Sequence, residues 1–377
     1  MMKHGSCSLF LAISAVTGQA LAADVGLRKV WDLDLRKVVE AKHLNHTRDL
    51  PVFGLRFSPN GRRLAAIVDL YGPTGKESSR LLVLDVHNPQ LSPKAFDIIG
   101  LVGGENGPAI DEFGWSPSGQ AVYAGGAVMG VDSGTRCELP WRSLLINDRL
   151  AVSADESPWV WGALTSHLAV FDSGCRPAGA WDEQGKWAVA DVSPDRGLLS
   201  ISQILEFPNK GNHLIVDATS QKILQRWKGS DAGEFADSGK AICAGSDVEA
   251  SERAPVTCWD VDTGKKINEA PTVNGGDPIA AALHASRIVA SDFKRRRMPL
   301  SSDYLEVLQR RAIWGFRSGK ELVSWRPKFQ SWDLQLDSDP SKPPKRQHEP
   351  FRFAISPDGE YVAEGGAGGI QMYRIGP

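Results

Sequence analysis

The sequence predicts an all-β fold: a seven-bladed β-propeller of four-stranded antiparallel blades, with the ring closed by the N-terminal strand. Three observations carry this expectation. A Ser-Pro-x-Gly turn recurs along the chain, a second hairpin signature follows it, and the N-terminal residues supply a strand that the last repeat lacks.

The turn stands at Phe57-Ser58-Pro59-Asn60-Gly61, Trp115-Ser116-Pro117-Ser118-Gly119 and Ile355-Ser356-Pro357-Asp358-Gly359. Each copy is followed by alternating apolar residues. Degenerate copies occupy Val192-Ser193-Pro194-Asp195-Arg196-Gly197 and Phe235-Ala236-Asp237-Ser238-Gly239. Proline presets φ for the first turn position, Asn, Asp or Ser tolerates the next, and Gly supplies positive φ before the following strand. Two strands joined this way make a hairpin.

The second element is a short apolar strand, a polar turn and another strand. It reads clearly at Thr257-Cys258-Trp259-Asp260-Val261-Asp262-Thr263-Gly264-Lys265-Lys266-Ile267 and again at Ala312-Ile313-Trp314-Gly315-Phe316-Arg317-Ser318-Gly319-Lys320. Hairpin plus hairpin gives a four-stranded sheet, one blade. The intervals from Trp115 to Val192 and from Phe235 to Ile355 are too long for one blade of roughly 40–50 residues. Each therefore holds a blade whose turn has lost the motif, placed around 150–171 and 280–323. Five visible blades and two inferred ones make seven. The last blade ends one strand short at Ile370–Ile375, and the alternating pattern of Lys29–Val39 completes it. Closure removes the open edges that would template aggregation.

Residues 1–22 read as a signal peptide and 23–377 as one propeller domain. Lys3 and His4 form a basic start, Ser8–Ile13 opens an apolar run too short to span a bilayer, and Ala20-Leu21-Ala22 supplies the small-x-small cleavage pattern. The expected location is a periplasm or the space beyond it. Net charge is −2, which gives no field to gather nucleic acid or an anionic membrane. Beyond Cys7 the chain has Cys137, Cys175, Cys243 and Cys258, an even number suited to an oxidising compartment. Four cysteines allow three pairings. Cys243 with Cys258 is favoured because each lies in a strand of one hairpin, leaving Cys137 with Cys175 by subtraction; four buried thiols are the alternative.

These repeats resemble those of the WD40-like propellers common among exported bacterial proteins, over nearly all of the mature chain. The Gly-His dipeptide of that family is missing, and Trp-Asp occurs only at Trp31-Asp32, Trp181-Asp182, Trp259-Asp260 and Trp332-Asp333. The resemblance implies a fold and the habit of presenting loops for binding. It carries over no functional residue.

Catalytic signatures are weak throughout. Ser58, Ser116, Ser193 and Ser356 precede proline in turns, where a hydroxyl caps the backbone, and no Gly-x-Ser-x-Gly elbow is present. His43 and His46 lack an evident third ligand, and Asn45-His46-Thr47 is formally a glycosylation sequon. Gly365-Gly366-Ala367-Gly368-Gly369 reads as a turn rather than a phosphate cradle, and Gly72–Lys76 fails the P-loop spacing. Asp111 with Glu112, and Asp182 with Glu183, are paired carboxylates near blade starts. The tryptophans fall on strand positions, which favours core packing over sugar stacking.

The strong charge run is Lys294-Arg295-Arg296-Arg297, with Arg310-Arg311 nearby. It lies in a segment from Asp292 to Arg311 that reads as a long loop, with a weak helical pattern at Asp303–Leu308. Long loops are where function concentrates. Segment 337–350 reads as a second excursion. No cofactor and no metal site are expected. The expected function is a non-catalytic module that binds an extracytoplasmic protein or an anionic glycan through its face loops, with Lys294–Arg297 as the candidate contact. The alternative is a hydrolase or lyase acting on a glycan or lactone at the central channel.

Overall fold

The computed structural model describes residues 26–39, 52–70, 78–90, 93–99, 113–116, 118–124, 127–138, 142–147, 150–154, 167–171, 175, 177–182, 186–193, 195–204, 212–217, 220–228, 233–244, 255–270, 280–297, 304–326, 352–366 and 368–376. The ladders among them are antiparallel and run in chain order. After β1 (Gly26–Asp34), the first sheet is β2 (Val52–Phe57), β3 (Arg63–Leu70), β4 (Ser78–Asp85) and β5 (Lys94–Ile99). The second is β6 (Phe113–Trp115), β7 (Ala121–Ala124), β8 (Ala127–Gly130) and β9 (Arg136–Glu138). The third is β10 (Arg142–Asn147), β11 (Leu150–Ala154), β12 (His167–Phe171) and β13 (Pro177–Asp182). The fourth is β14 (Lys186–Ser193), β15 (Leu198–Ile204), β16 (Asn212–Asp217) and β17 (Ile223–Lys228). The fifth is β18 (Glu234–Ala236), β19 (Ala241–Ala244), β20 (Val256–Asp260) and β21 (Lys266–Ala270). The sixth is β22 (Ala280–Ala281), β23 (Arg287–Arg297), β24 (Tyr304–Gly315) and β25 (Lys320–Trp325). The last joins β26 (Arg352–Ile355), β27 (Tyr361–Gly366) and β28 (Gly369–Gly376) to β1.

The expectation of seven blades is corrected here. Strand pairing gives seven four-stranded sheets. Among the described residues six blades are found as packed units, each contributing buried side chains to the clusters between neighbouring sheets. The third and sixth sheets open on turns without Ser-Pro-x-Gly, so their turn chemistry is the least specified by sequence.

The motif turns close the inner hairpins for a visible reason. Ser58 Oγ accepts from Arg63 N at 3.0 Å and donates to Asn60 Oδ1 at 2.8 Å, while Asn60 Oδ1 also accepts from Arg62 N. Gly61, at φ 70°, donates its N–H to the Ser58 carbonyl at 2.8 Å. Ser356, Asp358 and Gly359 repeat the arrangement, with Tyr361 N on Ser356 Oγ at 2.8 Å. One hydroxyl thus satisfies groups on both sides of the turn. The second hairpins use another turn: Asp260 Oδ1 accepts from the N–H and hydroxyl of Thr263, which lowers its pKa, and Gly264 follows at φ 68°.

Ring closure is by β1, paired to β28 from Gly26 opposite Gly376 to Asp34 opposite Gly369. The strand starts three residues earlier than its alternation suggests and stops at Asp34. There the carboxylate takes Arg36 N at 3.0 Å and caps a 3-10 turn, Leu35–Lys37. Leu35 is fully buried and its N–H donates to Gly368 O at 3.0 Å.

Tryptophans tie neighbouring sheets. Trp31 Nε1 donates to Val86 O at 2.8 Å, Trp115 Nε1 to Arg56 O at 3.0 Å, and Trp227 Nε1 to Gly264 O at 3.2 Å. Each indole packs against the core between two sheets, Trp115 buried and Trp31 and Trp227 half-buried, and satisfies its polar edge on the neighbouring sheet. The core reading of these residues holds.

Both disulfides form. Cys243 and Cys258 are direct register partners on β19 and β20, with Cα atoms 4.1 Å apart. Cys137 on β9 joins Cys175, between β12 and β13, and so links the second and third sheets.

Candidate functional site

Among the described residues, two places bear on function: the central channel and an extended ribbon on the opposite face. The inner strands line the channel. Arg56, Asp191 and Glu234 occupy the same position in their strands, one residue before the apolar residue that leads into each turn. A cavity of about 140 Å³ opens there, under Pro59 and Pro357 of the turns and among Phe57, Trp115, Phe235 and Phe353.

Arg56 on the first sheet reaches Asp191 on the fourth, Nη1 to Oδ1 at 3.3 Å, bridging non-adjacent blades. Its guanidinium carbon also lies 6.0 Å from the Phe113 ring centre. Asp191 Oδ2 accepts from Phe235 N on the next inner strand at 2.7 Å. Burial raises the Asp191 pKa, with the Arg56 charge opposing that shift. Glu234 Oε2 performs the same service one blade on, accepting from Ala281 N at 2.7 Å. These acids fasten successive inner strands by charge-assisted bonds. Sequence reasoning passed over them, although their equivalent positions in the repeat were the available signal.

Residues 292–297 and 304–311 are strand rather than loop. They are the outer lengths of β23 and β24, which pair from Arg287 opposite Gly315 to Arg297 opposite Tyr304, with a register shift after Asp292. β25 pairs only as far as Trp325 with Arg311, and β22 only Ala280 with Val289 and Ala281 with Ile288. Beyond these points, among the described residues, the ladder is a two-stranded ribbon on the face opposite the motif turns. Lys294, Arg295, Arg296 and Arg297 stand in it opposite Val307, Glu306, Leu305 and Tyr304. The weak helical pattern at 303–308 is likewise overturned: from Tyr304 onward it is β24. The sequence misled because the run from Asp292 to Arg297 shows no apolar alternation, the signal by which a half-buried strand is read.

Arg310 and Arg311 do not join that basic run. Arg310 pairs with Glu321 across the β24–β25 ladder at 3.0 Å. Arg311 is buried against Glu364 of the last sheet, both 1% exposed. Its guanidinium carbon lies 4.4 Å from the Phe353 ring centre, and Trp325 Nε1 donates to Glu364 Oε1 at 3.0 Å. A second buried pair also went unseen in the sequence. Ser200 Oγ lies 2.9 Å from His213 Nε2 and 2.7 Å from Gly233 O. The hydroxyl has one proton, given to the carbonyl, so Nε2–H is the donor in the His–Ser bond. Burial lowers the His213 pKa from 6.5 to about 4.

The remaining candidates resolve simply. Ser58, Ser116 and Ser356 are turn caps. Gly365 and Gly366 end β27 and Gly369 opens β28, with Gly368, at φ 78°, between the two strands. Asp182 is the register partner of His167. His43, Asn45, His46, Gly72–Lys76, Asp111, Glu112, Glu183 and segment 337–350 lie outside the described residues, as do residues 1–22. Among the described residues no group of three His, Cys, Asp or Glu is placed to hold a metal ion, and no helix is long and apolar enough to cross a membrane.

No family model and no curated protein matches the chain. Among solved structures it is similar to a chain of one titled "Crystal Structure of Mitotic Checkpoint Complex", at 13% identity and a TM-score of 0.54, covering 100% of both chains. That likeness shows the fold, a WD40-like β-propeller.

Proposed function

We propose that this chain is an exported, non-catalytic propeller that binds an acidic protein partner outside the cytoplasm, with Lys294–Arg297 on the β23–β24 ribbon as the contact. The ribbon is the observation that carries this reading. It extends past the rest of its sheet and carries four consecutive cations. A run of cations carried on a two-stranded ribbon steers an acidic partner and orients it. The similarity to a chain of a multiprotein assembly supports a protein partner. Two formed disulfides support an oxidising compartment, and with it cleavage after Ala22. A channel hydrolase has less support, because Asp191 and Glu234 hold neighbouring backbone N–H groups and Arg56 engages Asp191.

The test is cross-linked affinity capture by the mature protein, from the envelope fraction of its own cell, at low and moderate salt. The expected result is a stoichiometric acidic protein whose capture is lost when Lys294–Arg297 are all changed to Gln, with the unfolding midpoint unchanged. Undiminished capture by that variant would move the contact elsewhere. Capture of an anionic glycan alone would replace the partner class.

A further inference from the structure

The two disulfides differ in where they stand. Cys243 and Cys258 are 0% and 1% exposed and pack in one cluster with Ile288, Ala290 and Trp314 of the next sheet. A thiol from solution reaches them only when those sheets part. Cys137 and Cys175 are half-buried. Cys137 lies in β9, the outermost strand of the second sheet, between exposed Arg136 and Glu138. Cys175 lies in the connection between β12 and β13, the two outer strands of the third sheet. Solvent therefore reaches both residues of this bridge.

The two bridges also join different things. Cys243 and Cys258 belong to strands paired residue against residue, so the ladder holds them together whether or not the bridge is closed. Cys137–Cys175 ties two separate sheets, and among the described residues no ladder runs from β9 to β12 or β13. Cys175 is held at φ 59°, a left-handed backbone that residues with side chains seldom adopt and that persists only where the surroundings impose it. Opening the bridge removes one of the constraints that keep it there.

We propose that Cys137–Cys175 is a reducible clasp: a dithiol opens it in the folded protein while Cys243–Cys258 stays closed, and its opening loosens the third sheet from the second. A thiolate of the dithiol attacks one sulfur of the bridge, the S–S bond breaks, and the other cysteine leaves as a thiolate and takes up a proton. The second thiolate of the reductant displaces the first cysteine and closes a cyclic disulfide. Two electrons pass from the dithiol to the protein, which ends with thiols at Cys137 and Cys175. Bridges that solvent reaches exchange in this way, whereas buried ones resist it.

The experiment treats the oxidised protein with dithiothreitol in native buffer, quenches samples with iodoacetamide at intervals and maps the label by mass spectrometry. Cys137 and Cys175 are expected to be labelled roughly tenfold or more faster than Cys243 and Cys258. Hydrogen exchange of the partly reduced protein is expected to rise over β9, β12 and β13 and to keep the parent's level over β19 and β20. Cys137→Ser combined with Cys175→Ser should show the same exchange pattern with no reductant present. Equal rates at the two bridges, earlier labelling of Cys243 and Cys258, or no labelling until the protein is unfolded in urea would overturn the proposal. So would a reduced protein, or a double variant, whose exchange over β9, β12 and β13 matches that of the parent.

Discussion

Removing Glu364 tests the central energetic claim about how the last two blades are joined. Glu364→Ala leaves the Arg311 guanidinium without its carboxylate at a position 1% exposed, and also takes the acceptor from Trp325 Nε1. Breaking a buried pair by deleting one partner costs about 3–5 kcal/mol, because the remaining charge stays desolvated. Stacking on Phe353 at 4.4 Å offsets part of that cost, and cation–π contacts in desolvated settings reach about 2 kcal/mol. The expected loss is therefore about 2–4 kcal/mol. The double variant Arg311→Met with Glu364→Gln removes both charges and keeps an acceptor for the indole. It should recover most of the loss and lie within about 1 kcal/mol of the parent. The assay is urea unfolding of the oxidised protein, followed by tryptophan fluorescence and circular dichroism, with coincidence of the two probes required before midpoints are compared. If the double variant is as unstable as Glu364→Ala, or the single variant loses less than about 1 kcal/mol, the account of a desolvated pair is wrong.

His213 should make stability fall in mild acid. Its pKa is about 4 in the fold against 6.5 when unfolded, so below 6.5 the unfolded chain takes up a proton that the fold refuses. Between about pH 7.5 and about pH 5 this contributes a loss of about 2 kcal/mol, and the contribution levels off below the folded pKa. His213→Asn should show a shallower pH dependence by that amount; an unchanged slope would count against it. The Cys137–Cys175 bridge closes a span of 38 residues, for which chain entropy gives about 4 kcal/mol. Changing both to Ser should lower the urea midpoint accordingly, and a peptide map of the unreduced parent should recover the 137–175 and 243–258 pairs. Crossed pairs would refute the strand pairing that sets them.

What was legible in the sequence is what local chemistry encodes. Ser58 and Ser356 act on groups no more than five residues away, so their turns could be read directly. Cys243 and Cys258 flank one hairpin, and their pairing followed from that proximity. The basic run was visible, but its backbone state was not. Residues 292–311 lack the apolar alternation of a half-buried strand, and the ladder bonds between β23 and β24 leave no trace in composition. Arg311 with Glu364, 53 residues apart, has no sequence signature, and for Arg56 with Asp191, 135 apart, the repeat shows the equivalent positions but not the pairing.

The sequence by itself determined the strand-and-turn repeat and the closing strand, because a turn is a bargain among neighbours in the chain. Tertiary structure alone decided which charged residues face the channel and which arginines are buried. Those outcomes depend on desolvation and on contacts across the ring. Both are set only when distant strands are brought together at the same radius.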